Sequence, residues 1–563
     1  MPTDVPRRSS VLAALSAAVW ALPADAEAVS TAAAAPTPAP PVEETKPLLS
    51  YDGAEPVAVT APAAAVVDRA YPWQPPVRTT SRTTRQTSAA STLDPAVHLA
   101  RRASWGATPD LVAQIRSMGR TAWVDAQLDP ASIADQSTES LVAAQWPRLA
   151  MAIWEVRDAY WPSSTGDLGT DVIQAYVARA LWSRRQLFEV MVDFWTNHLV
   201  VTAPWGDAWD AVHRYHIDVI RGHALGRYAD LLVAAAQHPA MLNQLDNGSS
   251  TKRAPNENFG RELLELHTVG VGGGYPESDV LRSALVLTGL STERESGEYL
   301  YRQIRHHRGR LSVLGWSDAN DSAYGEQVAT SYLTYLARHP KTAQRIATKL
   351  AVRFVSDDPP AALVDRLAQV YLDHDTRIAP VVRALLLSPE FAASAGQKTK
   401  RPLENMISTA RTLGVQPGQD TKGWLAELVW SAKVAGQAPM GWPAPNGFPD
   451  VAAAWAGAGT TMASWNWHMA QGWEAMQTST PRVAYPSFRT LLPDTLPATY
   501  GALVDALASR LLDGPLPTAK RDAVCAFLDK TAASTLKSTD PVLGWRLPYV
   551  VALVLDSPEF ATR

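Results

Sequence analysis

Cysteine is almost missing: a single Cys525 in 563 residues rules out an intrachain disulfide and, with no second thiol, any paired-cysteine metal, redox or c-type haem site. Its neighbours Val524 and Leu528 put it on an apolar helical face, the setting of a small buried hydrophobe and not of a nucleophile. The common cofactor fingerprints are missing as well. There is no Gly-x-Gly-x-x-Gly and no Gly-rich phosphate loop ending in Gly-Lys, hence no nucleotide signature. Without a Gly-x-Ser-x-Gly elbow the chain is not a serine hydrolase of the usual kind, and without His-Glu-x-x-His it has no helical zinc-protease motif. Net charge is only −4 and no basic stripe is interleaved with aromatics, which argues against a nucleic-acid partner. No apolar run is long enough to span a bilayer.

Hydrophobic residues make up 46% of the chain, enough to bury a large core at this length. The start carries Arg7-Arg8, a modest apolar run from Val11 to Leu22, and Ala24-Asp25-Ala26. A paired-arginine head, an apolar middle and an Ala-x-Ala ending predict an export signal over 1–28, of twin-arginine type. That places the mature protein in the periplasm or outside the cell. Residues 29–92 are dominated by Ala, Pro, Thr, Val and Ser and predict a disordered linker. From Leu93 onward a single large, mainly α, multi-helical domain runs to 563. It opens at Asp94-Pro95, a cap followed by proline at the first helical position.

Leu187, Met191, Phe194 and His198 recur at spacings of four, three and four, one stripe of a helix. Ala343, Ile346, Ala347, Leu350 and Phe354 repeat the pattern, and Ser356-Asp357-Asp358-Pro359-Pro360 ends it. A short β-hairpin is expected between Glu298 and Trp316, around Arg308-Gly309. The sequences leading to Ser388-Pro389-Glu390-Phe391 and Ser557-Pro558-Glu559-Phe560 echo each other, as two similar helical hairpins would. The interval Ala435 to Thr461, rich in Ala, Pro and Gly, predicts a long ordered loop. Tryptophan is plentiful at 20 residues; core packing accounts for most of it, with carbohydrate stacking the alternative.

The densest polar stretch runs from Asn256 to His267 and stops at the glycines 270 and 272–274. Glu257, Arg261 and Glu265 form an i,i+4 ladder of alternating charge. Glu262 lies with Asn258 and Glu265 on the side away from Phe259, Leu263 and Leu266. A carboxylate beside a second carboxylate can act as general acid or base once burial raises its pKa. His267 follows Leu263 by four positions and points to the apolar side, and His198 ends an apolar stripe. Both need a hydrogen bond or a ligand. A divalent metal held by His198, His267 and Glu262 in a helical bundle is one reading, and satisfied core histidines are the other. Asp246, Asn247 and Asn256 flank the helix start and could cap it, bind a cation or orient a sugar; Arg221 and His223 complete the set.

In chain order, Arg101-Arg102-Ala103-Ser104-Trp105-Gly106, Phe194-Trp195-Thr196-Asn197-His198, Arg221-Gly222-His223-Ala224-Leu225-Gly226, Leu245-Asp246-Asn247, the Asn256–His267 stretch, Leu287-Thr288-Gly289, Arg353-Phe354-Val355 and Gly441-Trp442-Pro443 resemble the bacterial family known as domain of unknown function 1800. The likeness covers everything after the linker. It implies an exported, mostly helical protein, often encoded beside an exported partner of unknown-function family 1501, and no established activity. The positions matching its motifs are His198, His223, Asp246, Asn247, Asn256, Glu257, Asn258, Arg261, Glu262, Glu265 and His267. The chain departs from the pattern at Gly272, where the family has Asp, and at His307 and Leu311, where it has Asp and Lys.

These readings converge on a hydrolase or lyase acting on an envelope or extracellular polymer such as a polysaccharide. Glu262 would be its acid/base, Glu265 or Asp246 the second carboxylate, and His198 and His267 orienting or metal-binding groups. Arg221, His223, Asn247, Asn256 and Asn258 would hold substrate. The competing expectation is a non-enzymatic assembly or maturation partner whose polar helix is a structural salt-bridge network.

Overall fold

Asp94 accepts the Ala96 N–H at 2.7 Å and Pro95 takes the first helical position, so this helix starts where cap chemistry predicts. The computed structural model describes residues 93–161, 167–204, 206–322, 324–476 and 482–563. The export signal and linker expected over 1–92 lie outside them. The described residues belong to one unit, and it is mainly helical. The helices that position the site are α1 (Pro95–Ala103), α2 (Gln186–His198), α3 (Tyr215–Arg221, wound as a π-helix), α4 (Tyr228–Gln237), α5 (Glu257–Glu262), α6 (Glu277–Leu287), α7 (Pro340–Phe354), α8 (Ala361–Asp373) and α9 (Pro402–Thr412). No helix among the described residues is long and apolar enough to cross a membrane.

The stripes behave as their spacing requires. Leu187, Met191 and His198 are almost fully buried on α2, as are Ala343, Ile346, Ala347, Leu350 and Phe354 on α7. The short turn at Ser356–Pro360 folds α8 back against α7 as an antiparallel neighbour. Cys525 is buried, in keeping with its apolar neighbours.

The strand content differs from expectation. In place of one hairpin about Arg308-Gly309 there are two: β1 (Leu290–Thr292) pairs with β2 (Tyr299–Tyr301), and β3 (Leu311–Val313) with β4 (Trp316–Asp318). The second turns at Leu314-Gly315, where both residues have positive φ, 50° and 87°, as a tight two-residue hairpin needs. Gly309 instead donates to Asn320 O at 2.9 Å and closes a wider loop. A third, two-residue pair joins β5 (Gln416–Pro417) to β6 (Val483–Ala484). The interval 435–461 is irregular only to Val451; helices Ala452–Trp455 and Ala458–Glu474 take up the rest. Its order comes from aromatic packing, Trp442 to Phe448 at 4.7 Å and Phe448 to Trp455 at 6.0 Å. The two echoed Ser-Pro-Glu-Phe turns each bury their phenylalanine against a histidine, Phe391 on His98 and Phe560 on His468. Only Ser388 caps its own turn, accepting the Phe391 N–H at 3.1 Å; the Ser557 hydroxyl finds no partner among the described residues.

Tryptophan divides into two populations. Trp105, Trp123, Trp146, Trp195 and Trp424 are fully buried, whereas Trp154, Trp161, Trp430 and Trp545 are more than half exposed. Beneath the surface runs a network of buried charge. Glu404 accepts from Arg353 at 2.6 Å and from Arg563, Arg401 pairs with Asp193, Arg563 with Asp450 at 2.8 Å, and Lys398 bridges Asp357 at 2.6 Å and Asp450 at 3.2 Å. It joins α2, α7 and α9 to the loop near Asp450 and to the last residues of the chain.

Candidate functional site

The polar helix begins as its caps dictate. Asn256 Oδ1 accepts the Asn258 N–H at 2.9 Å, and Asn256 Nδ2 donates to Asp246 O at 2.9 Å. Asp246 stands at φ 57°, a left-handed corner that aspartate tolerates; it is exposed and holds Asn256 through its backbone oxygen. Asn247 is fully buried and donates to Leu287 O and Leu290 O at 3.3 and 3.0 Å, tying the corner to α6 and β1. Asn258 is exposed, its amide 3.5 Å from Leu245 O. Asn256 and Asn247 are therefore spent on local architecture. Gly260 allows α5 to cross α6 in backbone contact, since a Cβ there would lie 2.8 Å from Ala284 N. The next five residues, Leu263–His267, wind as a π-turn, a form that recurs at functional sites. The buried face is Phe259, Gly260, Leu263, Leu264 and His267, and Leu266 is only half-buried.

The charged face splits in two. Arg261 does sit between Glu257 at 3.7 Å and Glu265 at 3.8 Å, but its close partner is Glu277 at the start of α6, gripped by both terminal nitrogens. Glu262 is half-buried and makes no hydrogen bond or ion pair with any described residue. Burial, reinforced by the neighbouring Glu265 carboxylate and only partly offset by Arg261, pushes its carboxyl up to about 7.

The histidines lie on the other side of the helix, in the core. His198 Nδ1 accepts from Lys349 Nζ at 2.9 Å; its Nε2 is 3.1 Å from the Tyr228 hydroxyl and 3.3 Å from His267 O, to which the same hydroxyl donates. This pattern makes Nε2 the protonated nitrogen of a neutral ring. Burial, and after it the Lys349 charge, holds the imidazole well below its ordinary pKa. Arg345 Nε donates to Leu266 O at 3.1 Å, Thr268 Oγ1 to Leu263 O at 2.6 Å. Three side chains from elsewhere in the fold, His198, Tyr228 and Arg345, together with Thr268 at the helix's own end, thus satisfy carbonyls that a helix end leaves open. His198 is one of these caps.

The metal reading fails here. Both nitrogens of His198 are engaged, one by an ammonium that sits where a cation would, and Glu262 is absent from the cluster. Among the described residues no three His, Cys, Asp or Glu side chains are placed to hold a metal ion. His267 is buried with Nε2 unpartnered, and burial followed by the Lys349 and Arg345 charges lowers its pKa to about 3, keeping it neutral. Lys349 itself is lowered to about 7 by burial and by Arg345. It went unnoticed in the sequence, although Ile346, Lys349, Leu350 and Arg353 share one helical face at i, i+3, i+4 and i+7, which sets two cations on an apolar stripe.

Arg221 holds Glu189 in both hands, at 2.6 and 3.0 Å, with Glu189 1% exposed. It closes the π-helix α3 onto α2, with both terminal nitrogens bonded to that carboxylate. His223 is half-buried without a side-chain hydrogen bond among the described residues. The Phe-Trp-x-Asn-His run is explained link by link. Trp195 donates to Ala224 O at 2.8 Å, Asn197 clasps the Phe448 backbone at 2.8 and 2.7 Å, and His198 caps α5. Gly447 sits so close to Asn197 O that a Cβ would lie 2.0 Å away, at φ +74°. Of the three departures, Gly272 is exposed with open space around it, His307 is held through its backbone by Thr288 and Asn320, and Leu311 is 4% exposed in the core.

No curated protein and no solved structure matches the chain. The model of one family, described as Protein of unknown function (DUF1800), matches residues 98–562, most of the chain, and the chain belongs to that family.

Proposed function

We propose that the chain is an exported hydrolase or lyase that acts on a polysaccharide of the cell envelope or its surroundings, with Glu262 as general acid/base. The observation that supports this reading is the isolation of Glu262. It is a half-buried carboxyl with no partner among the described residues, held near neutrality by burial and by Glu265, so that both protonation states are populated at physiological pH. A proton shuttle requires that balance. Glu265, three positions on, is the second carboxyl. Asp246 is no longer part of the proposal, because it serves the helix start from an exposed corner.

A non-enzymatic role in envelope assembly, with a co-encoded exported partner, is favoured by a different observation: His198, Asn247 and Arg221 are all consumed by structural bonds. The two readings part at one residue. The purified mature chain is assayed on a panel of neutral and acidic polysaccharides for new reducing ends and unsaturated products. The enzymatic reading expects turnover that Glu262→Gln lowers by about 10²-fold or more while the variant stays folded. Unchanged turnover in Glu262→Gln, or no turnover on any member of the panel, would overturn it.

A further inference from the structure

A wide cleft of about 1230 Å³ opens between the helix Ile153–Tyr160, the loop joining β1 to β2, and the turn at Asn247–Ser249 that leads into the polar helix. Its lining sets four arginines, 157, 294, 302 and 305, against two acids, Asp158 and Glu295. That excess of positive charge stands on a chain whose net charge is −4.

The arginines are not equivalent. Arg157 is neutralised by Asp210 at 2.7 Å, and Arg302 lies 3.6 Å from Glu293. Arg305 bonds only neutral oxygens, Gly248 O and Ser291 Oγ, the latter at 3.2 Å. Arg294 is exposed and has no side-chain partner among the described residues. Two guanidinium groups in the cleft therefore lack a carboxylate.

The aromatic wall is equally specific. Trp154 and Trp161 are 52% and 63% exposed, although most tryptophans of this chain are not. Trp161 is braced: Trp209 stacks beside it at 6.3 Å and 24°, and Arg157 lies 5.5 Å from its ring centroid. An indole flanked in this way and open to solvent is a surface for the apolar face of a sugar ring. Guanidinium groups without a carboxylate partner supply bidentate donors for carboxylate or sulfate.

We infer that this cleft is a binding site for an acidic saccharide, stacked on Trp161 and Trp154 and held through its anionic groups by Arg294 and Arg305. Indole and guanidinium would also suit single-stranded nucleic acid, but that ligand needs a basic track along its backbone, whereas this lining also carries Asp158 and Glu295. The inference takes its ligand class from the proposed polysaccharide reading and is independent of Glu262.

Binding of oligogalacturonate, of a sulfated oligosaccharide and of a neutral oligosaccharide of the same length is measured on the full chain by calorimetry and tryptophan fluorescence. At least one acidic ligand should bind, about tenfold or more tighter than the neutral one, and the two acidic arms tell carboxylate from sulfate. Trp161→Ala and Arg294→Ala, at exposed positions that leave melting unchanged, should each weaken it by about tenfold, and Glu262→Gln should not weaken it. Equal binding of the neutral ligand, wild-type affinity in both cleft variants, tighter binding of oligo-dT, or no binding at all would overturn the inference. Binding without turnover sinks only the role of Glu262; turnover with affinity indifferent to the cleft variants sinks only the cleft.

Discussion

Around Glu404, three guanidinium groups from distant parts of the chain converge on one carboxylate, and the participants are 5% exposed or less. On α5, the same residue types stand at the surface: Arg261 is gripped by Glu277 and only loosely approached by Glu257 and Glu265, and Glu262 has no hydrogen bond or ion pair with any described residue. Both regions concentrate charge on helices, and they put it to opposite uses. Buried charge is tolerated where it is fully paired, because removing water from an ion costs several kcal/mol that only close partners recover. Where a carboxyl is half-buried and unpaired the cost remains, and it appears as a raised pKa. Pairing marks the part of the molecule that holds the fold; its absence at Glu262 is the feature on which the proposed acid/base role rests.

The strongest way to break this comparison is at the network. Glu404→Ala should leave Arg353, Arg563 and Arg401 facing one another in the core and destabilise the chain by about 5 kcal/mol, read by denaturant unfolding. Wild-type stability in that variant would remove the distinction. A smaller effect, about 3 kcal/mol, is expected for Arg221→Met, which strands the buried Glu189. If Arg221 held substrate instead, the variant would keep its stability and lose saccharide affinity. Smaller again is Tyr228→Phe: the His267 carbonyl keeps its contact with His198, so the loss should be about 1 kcal/mol in unfolding free energy.

The sequence makes one of these regions visible and hides the other. The polar helix is legible because its residues are consecutive: caps, ladder and glycine stop fall within sixteen positions, and helical spacing sorts its faces. The stripe on α2 is legible for the same reason. The network is not, since Arg401 finds Asp193 and Arg563 finds Glu404 across 208 and 159 residues, distances at which spacing carries no information. The assignment of His198 fails by the same mechanism. Its partners Tyr228, His267 and Lys349 come from three other helical segments, and a carbonyl acceptor at a helix end has no side-chain signature to read. The π-turn at Leu263–His267 also escapes a 3.6-residue wheel, which placed Leu266 deeper than it lies. Exposed and buried tryptophans are indistinguishable by composition, so the cleft at Trp161 could only emerge from the fold.

The finest test of the comparison is electrostatic and concerns Glu262 alone. Its folded-state pKa of about 7 lies above the ordinary carboxyl value of 4.5, so the folded protein holds a proton that the unfolded chain has released between those values. Stability from this group is therefore fully present below pH 4.5, declines as pH rises toward 7, and is gone above it. Glu262→Gln mimics the protonated form at every pH. The variant should match wild type at pH 5 and exceed it by about 1 kcal/mol at pH 8, a modest figure because solvent screens a half-buried carboxyl. Unfolding curves at the two pH values check it. A structural glutamate with a hidden partner would give the opposite sign, a loss at pH 8, and would move α5 to the same side of the comparison as the network around Glu404.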